Sequence, residues 1–321
     1  MLASISLDLD NQWSYMKTNG DAGWEDFPSY LDLAVPRILA FLGERNLKIT
    51  FFIIGQDAAL AKNREAIASI AEAGHEIGNH SFNHEPWLHL YSKDELVAEF
   101  EKTEAALEAI TGECPVGFRG PGYSLSPAVL EVLGTRGYAY DCSLLPTYIA
   151  PLARAYFFLK SSEMTDEEKE KRKKLFGKFS DGFQTLKPHF IDAAGKQLVE
   201  IPVTTFPLVK TPIHASYLLY LSTFSRLTAK TYWRSAVAAC AATGVEPSFL
   251  LHPLDFLGGE DVPAMKFFPG MNLPAGQKVE FLSYALGLLT EQFDVGTMRQ
   301  HANAFRRDYQ HDAEKMHLEE A

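Results

Sequence analysis

The sequence opens with Leu2-Ala-Ser-Ile-Ser-Leu7, a short apolar run, and Asp8-Leu9-Asp10 follows it directly. A second short strand, Gly74-His-Glu-Ile-Gly78, is bracketed by glycines and leads into His80-Ser-Phe-Asn-His84. Two histidines four residues apart lie on one face if the segment turns helically, so both imidazoles can reach one point. A carboxylate from a distant strand end would complete a His₂Asp set with open positions for water and substrate. The pattern therefore outlines a hydrolytic metal site.

Strand and helix patterns alternate along the chain, which indicates parallel strands joined by helices, in an open doubly wound sheet or a barrel. Asn11 to Phe27 is expected to be a long polar and aromatic loop. The polar motifs follow strands, at the carboxyl ends where active sites of both architectures lie. Strands are predicted at 2–7, 48–54, 74–78, 116–118, 138–140, 198–202 and 248–251, and helices at 29–45, 64–73, 92–111, 126–134, 225–242 and 277–290.

Composition excludes several classes of protein. The chain has 321 residues, 46% of them hydrophobic, which suits one large α/β domain. A formal net charge of −11 argues against nucleic-acid binding, since phosphate neutralisation needs a basic face. Three scattered cysteines, Cys114, Cys142 and Cys240, favour a reducing compartment and are not expected to bind zinc.

The same features predict the location of the protein. No run approaches the roughly 18 apolar residues that span a bilayer. No basic region followed by an apolar segment fits before Asp8, so no signal peptide is expected. We expect a cytoplasmic protein that does not span the membrane, with the inner membrane face as an alternative; the oligomeric state is left open.

One region departs from the alternation. Residues 148–196 contain an aromatic patch, Tyr156-Phe-Phe158, and a charge run, Asp166 to Lys174, interpreted as a solvated helix face. The expected organisation is a single catalytic barrel over 1–305 with an insertion at about 148–196. Residues 306–321 are expected to be a frayed, charged C-terminal tail.

Two further motifs follow strands: Arg119-Gly-Pro-Gly-Tyr123 and Leu250-Leu-His252. The ordered set D-x-D, H-S-x-x-H, R-x-P-x-Y, Y-D-x-S and L-x-H resembles the polysaccharide deacetylase family, the carbohydrate esterases that include chitin and peptidoglycan deacetylases. The resemblance spans roughly Ile5 to His252. It implies an α/β fold, a distorted (β/α) barrel with about seven parallel strands, and metal-dependent removal of an N-acyl or O-acyl group from a sugar.

Carried over by position, the resemblance assigns Asp8 as the catalytic base and Asp10, His80 and His84 as the metal ligands. Arg119 matches the arginine that pairs with the base. The commoner family pattern has two adjacent aspartates, whereas one leucine separates them here. This variant resembles the branch that contains intracellular deacetylases and the deformylase of lipid-linked aminoarabinose, and it leaves open which aspartate binds metal.

The remaining roles come from the later motifs. His252 matches the general acid, and Asp141 matches an aspartate that orients an active-site charge, with turn capping as its alternative. The backbone of Pro121, Gly122 and Tyr123 lies where the family supplies an oxyanion N–H, which a Gly-Pro-Gly turn can expose.

These residue types suit amide hydrolysis. The expected metal is zinc, with cobalt, nickel or manganese as alternatives. A divalent metal lowers the pKa of bound water and polarises the acyl oxygen. The expected function is removal of an N-acetyl or other N-acyl group from an amino sugar or glycan precursor, with a lipid- or nucleotide-linked acceptor as an option. The alternatives are a deformylase, a metal-free C–N hydrolase on a non-sugar amide, and an inactive barrel that binds glycan.

Aromatic residues give candidates for substrate contact. Trp13, Trp87 and Tyr123 could stack on the apolar face of a pyranose, although packing in the core or at the rim is an equal alternative. The segment Ile213 to Leu221, with Tyr156 to Phe158, could form an apolar surface for a lipid-linked substrate, but an ordinary buried helix is favoured.

Overall fold

The computed structural model describes residues 1–149 and 179–319. Within these residues the strands form one curled sheet in the order β6-β7-β5-β4-β3-β2-β1-β8, and β9 pairs with the start of β1. The strands are β1 (Leu2–Asp8), β2 (Thr50–Ile53), β3 (Glu76–Asn79), β4 (Gly117–Phe118), β5 (Tyr140–Asp141), β6 (His189–Ala193), β7 (Lys196–Glu200), β8 (Ser248–Leu251) and β9 (Asp294–Gly296).

The run from β7 to β8 consists of seven mutually parallel strands, which confirms the predicted barrel-type α/β sheet. The sheet curls until its two ends meet beyond β7. There Thr204 N donates to Ser248 O at 3.1 Å, and Ser248 N donates to Thr204 Oγ1 at 2.8 Å. The carboxyl ends of the parallel strands therefore surround one shared opening.

Side-chain alternation along β1 shows how the sheet divides its two faces. Ile5 and Leu7 are fully buried in the large apolar cluster that the helices cover. Ser4, Ser6 and Asp8 alternate with them and lie on the inner face, also buried. Because side chains in a strand alternate, the apolar layer outside and the polar groups inside come from one short segment.

The helices are α1 (Gln12–Asn19), α2 (Leu31–Gly43), α3 (Gly55–Ala59), α4 (Arg64–Glu72), α5 (Lys93–Thr111), α6 (Pro127–Arg136), α7 (Ala215–Phe224), α8 (Arg226–Thr243), α9 (Ala275–Gln292) and α10 (Met298–Glu319). Serine side chains cap three of the helices that the sequence predicts. The Ser92 side chain accepts from Glu95 N in a complete capping box, and Ser126 and Ser225 cap α6 and α8. Within the described residues, none of these helices is both long and apolar enough to cross a bilayer.

One expectation was wrong at the level of local structure. The predicted loop between Asn11 and Phe27 contains α1, whose first N–H is capped by the Asn11 side chain. The predicted tail from Arg306 continues α10 as far as residue 319, and Phe305 and Tyr309 pack on Phe190 of β6 at ring-centroid distances of 5.0 Å. These aromatic contacts pack this part of α10 against the sheet edge, and a tail beyond the barrel stays a prediction.

The proposed insertion at 148–196 is described only in part. Its last residues form the β6 strand, which pairs antiparallel with β7 at the sheet edge. The aromatic patch at 156–158 and the charge run at 166–174 lie outside the described residues. The expected division into a barrel over 1–305, an insertion and a tail stays a prediction.

Candidate metal and hydrolytic site

The sequence motifs converge at the carboxyl ends of the parallel strands. Each candidate side chain comes from the last residue of a strand or from the segment just after it, as expected for an α/β active site. These residues are Asp8 and Asp10 at β1, His80 and His84 after β3, Arg119 after β4, Asp141 at the end of β5 and His252 after β8.

Asp10, His80 and His84 form a buried cluster that could hold a cation. One ligand atom from each residue lies within 4.8 Å of the other two. Asp10 Oδ1 is 3.0 Å from His84 Nε2 and 3.4 Å from His80 Nε2. Within the described residues Asp10 Oδ1 is buried without a hydrogen bond of good geometry. Three Lewis bases around one point, one of them unsatisfied, fit a divalent cation.

The turn that brings the two histidines together is not helical, contrary to the premise drawn from their spacing. Ser81 and His84 both adopt left-handed backbone conformations, with φ of 59° and 53°. Asn79 Oδ1 accepts from Ser81 N at 2.7 Å, and Ser81 Oγ accepts from His84 N at 3.2 Å. The serine and asparagine side chains thus stabilise a tight loop that folds His84 back toward His80.

Glu99 of α5 supports the same loop from behind. Its Oε2 accepts from Phe82 N at 2.9 Å and from Asn83 N at 3.0 Å, and its Oε1 accepts from the Asn83 side chain. Glu99 is only 4% exposed, so these bonds are shielded from water. No sequence signal indicates this role, since Glu99 lies in an ordinary helical pattern fifteen residues after His84.

The protonation pattern at His80 follows from its neighbours. His80 Nδ1 lies 2.7 Å from the carbonyl oxygen of Arg119, which can only accept, so Nδ1 carries the hydrogen and Nε2 faces Asp10. Burial alone would lower the pKa of His80, but the carboxylates of Asp8 and Asp10 raise it. Burial would raise the pKa of Asp10, but the charges of the two histidines beside it hold it well below 3.8.

Asp8 and Arg119 form a buried ion pair beside this cluster. Arg119 Nη1 donates to Asp8 Oδ1 and to Ser6 Oγ, each at 2.8 Å, and Nε donates to Cys142 O at 3.0 Å. The guanidinium also lies 4.6 Å above the Phe52 ring. Arg119 is fully buried, so these contacts fix both its position and that of the carboxylate.

The turn Pro121-Gly122-Tyr123 also borders the site, with positive φ at Gly122 (58°) and Tyr123 (61°). Tyr123 N donates to Gly120 O at 3.0 Å, and proline has no N–H. Of the backbone donors proposed for this turn, Gly122 N–H is therefore the one left to face an oxyanion. Burial, followed by the charge of Asp8, raises the pKa of Tyr123, so its hydroxyl stays protonated.

Asp141 is hydrogen-bonded within its own turn. Asp141 Oδ1 accepts from Ser143 Oγ at 2.7 Å and Oδ2 accepts from Ser143 N at 3.1 Å. Ser143 Oγ in turn accepts from Gly120 N at 2.8 Å. Burial and the charge of Asp141 raise the pKa of its neighbour Glu200 well above the usual value. Asp141 thus supports the Arg119 turn.

His252 has different partners. Its Nδ1 lies 3.0 Å from Ser216 Oγ on α7, and Ser216 Oγ donates to Asp255 Oδ1 at 2.7 Å. Asp255 Oδ2 accepts from the backbone N–H of His252 at 2.8 Å. The sequence prediction missed Ser216 and Asp255; the spacing of Asp255, three residues after His252, was the available signal.

Of the candidate stacking residues, Trp13 is excluded. It is 1% exposed, and its indole N–H donates to Asp57 Oδ1 at 3.0 Å, so it belongs to the core beneath the site. Trp87 is half-buried and follows the histidine loop at the rim, where it stays a candidate. Segment 213–221 forms part of α7, whose residues Ala215, Leu218 and Leu219 are buried, in agreement with the favoured helix interpretation.

Two tyrosines join the site without having been predicted. The Tyr30 hydroxyl donates to Asp10 O at 2.6 Å. Burial, followed by the charge of Asp10, raises the pKa of both Tyr15 and Tyr30 well above 10. Neutral hydroxyls therefore line the aspartate side of the cluster.

Comparisons with known proteins agree with this arrangement. Residues 21–140 match the polysaccharide deacetylase family. A peptidoglycan deacetylase of Helicobacter pylori is 27% identical over 158 residues, which is 47% of this chain and 52% of the relative. A peptidoglycan-N-acetylglucosamine deacetylase of Bacillus cereus is 38% identical over 86 residues, 27% of this chain and 30% of the relative. The chain thus spans about half or less of the length of these relatives.

A solved structure shares the fold over nearly the whole chain. A candidate polysaccharide deacetylase from Mycobacterium smegmatis superposes with a TM-score of 0.63 at 21% identity, covering 96% of this chain and 91% of that one. The family match includes His80, His84 and Arg119 but ends before His252 and begins after Asp10. The grouping of Asp10 and His252 with the matched residues therefore rests on the geometry described above.

Proposed function

We propose that the chain is a metal-dependent hydrolase that removes an N-acetyl group from an amino sugar, on the premise that residues 21–140 match the polysaccharide deacetylase family. The observation that carries the proposal is the Asp10, His80 and His84 cluster, which adjoins the Asp8–Arg119 pair at one sheet edge. A binding protein would need no such combination of a cation site and a buried, arginine-paired carboxylate.

The three clustered side chains would hold the cation, and we propose zinc because two imidazoles and one carboxylate are typical zinc ligands. When bound, the ion supplies Lewis-acid chemistry: it polarises an acyl oxygen and lowers the pKa of a water. The Arg119 carbonyl would keep His80 Nε2 pointed at the ion, since it accepts from Nδ1 at 2.7 Å.

Asp8 would act as general base. Its Oδ1 is engaged by Arg119 Nη1 at 2.8 Å, which leaves Oδ2 to take a proton from the attacking water. The developing oxyanion would be stabilised by Gly122 N–H, the donor that the turn leaves available. Because the turn is held through Gly120 N and Ser143 Oγ, that donor is positioned before substrate binds.

His252 would act as general acid on the leaving nitrogen. An amine leaves poorly unless it is protonated, so amide cleavage depends on such an acid more than cleavage of an activated ester does. His252 Nδ1 faces Ser216, so Nε2 is the nitrogen that would deliver the proton. We place Trp87 at the sugar-binding rim as a stacking platform.

The substrate class follows from the relatives named above, a peptidoglycan deacetylase and a peptidoglycan-N-acetylglucosamine deacetylase. We propose N-acetylglucosamine units, borne on a glycan or on a glycan precursor with a lipid or nucleotide carrier. A reducing, cytoplasmic location is part of this proposal. It is supported by three free cysteines, of which Cys142 and Cys240 are buried.

The test is acyl release by the purified, zinc-loaded protein. Acetate and formate are measured with chitooligosaccharides, peptidoglycan fragments, a lipid-linked precursor and a non-sugar amide. Acetate release that is lost in Asp8→Asn, with the zinc content unchanged, supports the proposal. Formate release alone would establish a deformylase instead, turnover without any metal would remove the cation from the mechanism, and glycan binding without turnover would indicate an inactive barrel.

A further inference from the structure

The residues that hydrogen-bond to His252 lie outside the sequence motifs. We propose that Ser216 and Asp255 form a positioning pair that fixes the orientation and tautomer of His252. The inference rests on the proposed function only in taking His252 as the proton donor to the leaving group. Neither residue lies in the part of the chain that matches the family, and neither belongs to a motif that resembles it.

The direction of each hydrogen bond follows from which groups can donate and which can only accept. Asp255 Oδ1 lies 2.7 Å from Ser216 Oγ, and a carboxylate only accepts, so the single hydroxyl hydrogen points at Asp255. Ser216 Oγ then has only lone pairs to offer His252 Nδ1 at 3.0 Å, so Nδ1 must carry a hydrogen. The other carboxylate oxygen accepts from His252 N at 2.8 Å, which fixes the backbone of the same residue.

This arrangement prepares Nε2 for proton transfer. In the acid step the Nε2–H bond breaks and leaves its electron pair on nitrogen, while a new N–H bond forms on the departing amine. The neutral imidazole that results keeps its hydrogen on Nδ1, where Ser216 accepts it. A buried carboxylate behind the hydroxyl also compensates the positive charge of the imidazolium before that step.

The pair is built on rigid parts of the fold. Ser216 belongs to α7, whose Ala215, Leu218 and Leu219 are buried in the main core. Asp255 is 2% exposed and lies in the short turn Pro253–Asp255. Lys278 Nζ ties down this loop by donating to Leu254 O at 2.8 Å and to Leu257 O at 2.7 Å.

Asp141 has other partners and does not compete for this role. Asp141 is engaged by Ser143 and Glu200, on the side of the sheet where the Arg119 turn lies. The charge that faces His252 from its own loop is Asp255, 4.0 Å from Nδ1. Burial raises the pKa of Asp255, and the charge of His252 and the Ser216 hydrogen bond oppose that rise.

The second ring near His252 is His214, at a centroid distance of 6.4 Å, and burial followed by the charge of His252 lowers its pKa to about 3. The His214 ring therefore stays neutral beside His252, the proposed proton donor.

The first experiment reads the tautomer directly and needs no activity. ¹⁵N-histidine-labelled protein is studied by long-range ¹H–¹⁵N NMR at a pH where the imidazole is neutral, and the His252 signals are assigned by their loss in His252→Ala. Wild-type protein should show a protonated Nδ1 and a bare Nε2. Ser216→Ala and Asp255→Asn should each shift His252 toward the Nε2–H tautomer, which predominates in a free imidazole. Ser222→Ala is the matched control, because Ser222 lies on the same helix but donates to Leu219 O at 2.7 Å.

The second experiment measures catalysis with the same variants. Ser216→Ala should reduce kcat for N-deacetylation by about 10- to 100-fold, below the full effect of an acid–base residue, and reduce aryl acetate hydrolysis much less. Ser216→Thr, which retains a hydroxyl, should recover most of the loss. An Nδ1–H tautomer that persists in both Ser216→Ala and Asp255→Asn would overturn the positioning pair whatever the activity. A tautomer change with no selective loss on the amide would leave the pair in place and overturn the role of His252 as acid.

Discussion

A buried carboxyl beneath the site should make the stability of the protein depend on pH. Asp57 is fully buried, and its Oδ1 accepts from Asn11 Nδ2 at 2.8 Å, Trp13 Nε1 at 3.0 Å and Asn63 Nδ2 at 2.8 Å. Burial raises its pKa from 3.8 to about 7, and the hydrogen bonds from Asn11 and Trp13 oppose that rise. Asp57→Asn keeps one oxygen for the three donors and removes the titration.

The sign and size of the effect follow from that pKa. The pKa of Asp57 in the folded protein lies above its pKa in the unfolded chain. The contribution of Asp57 to the free energy of unfolding is therefore complete below pH 3.8 and is lost as the pH rises through about 7. A difference of about 3 units at about 1.4 kcal/mol per unit gives about 4 kcal/mol in total. Roughly 3 kcal/mol of this falls between pH 5 and pH 8.5, because part is already lost at pH 5.

The assay is urea unfolding of wild type and Asp57→Asn at several pH values between 5 and 8.5, with EDTA present to keep the neighbouring site free of metal. The free energy of unfolding of the wild type should fall by about 3 kcal/mol more than that of the variant over this range. Asp192→Asn, which alters an exposed carboxylate in β6, should follow the wild-type curve. If the free energy of unfolding depends on pH in the same way in wild type and Asp57→Asn, the reasoning is refuted, since burial would then not raise the pKa of Asp57.

Three further predictions concern the site. His84→Ala should abolish stoichiometric zinc binding measured by calorimetry, while circular dichroism stays unchanged. It should also remove the stabilisation of the fold by zinc, about 2.7 kcal/mol at a hundredfold excess over Kd, which is measured in the wild type as a rise in Tm; retained zinc would contradict the ligand assignment. Asp8→Asn should retain zinc and lose turnover, whereas Asp10→Asn should weaken zinc binding by about 10-fold or more, and the reverse pattern would exchange the two aspartates. His252→Ala should slow N-deacetylation by about 10²–10⁴-fold and aryl acetate hydrolysis far less, and equal losses would indicate a binding role.

The parts of the fold that were predictable are those with strong local signals. The capping box at Ser92 and the serine caps of α6 and α8 place those helix starts within the sequence itself. Helix α1 has no comparable apolar periodicity. It is held by the Asn11 cap and by burial of Trp13 against Asp57, and Asp57 lies 44 residues from Trp13. The short strand β9 likewise exists through its pairing with β1, at the other end of the chain.

The site divides in the same way. Residues at strand ends could be assigned because parallel strands deliver their carboxyl ends to one edge, so sequence order was enough to group Asp8, His80 and His252. Partners that come from helices could not be assigned. Glu99 and Ser216 occupy unremarkable positions in α5 and α7, and only the packing of those helices against the sheet turns them toward the histidines. For the same reason the sequence left stacking and core packing of Trp13 as equal alternatives, since its burial depends on residues distant in sequence.

Arg119 shows how a two-residue strand can organise both halves of the site. Its side chain donates to Asp8 at 2.8 Å, while its backbone carbonyl accepts from His80 Nδ1 at 2.7 Å. The backbone is itself located by the sheet, because Arg119 N donates to Asn79 O at 3.1 Å and Cys142 N donates to Phe118 O at 2.9 Å. The proposed base and one proposed cation ligand are therefore positioned by the same backbone unit. Since that unit is bonded on both sides and fully buried, the distance between them is set by the sheet and does not depend on the loops above it.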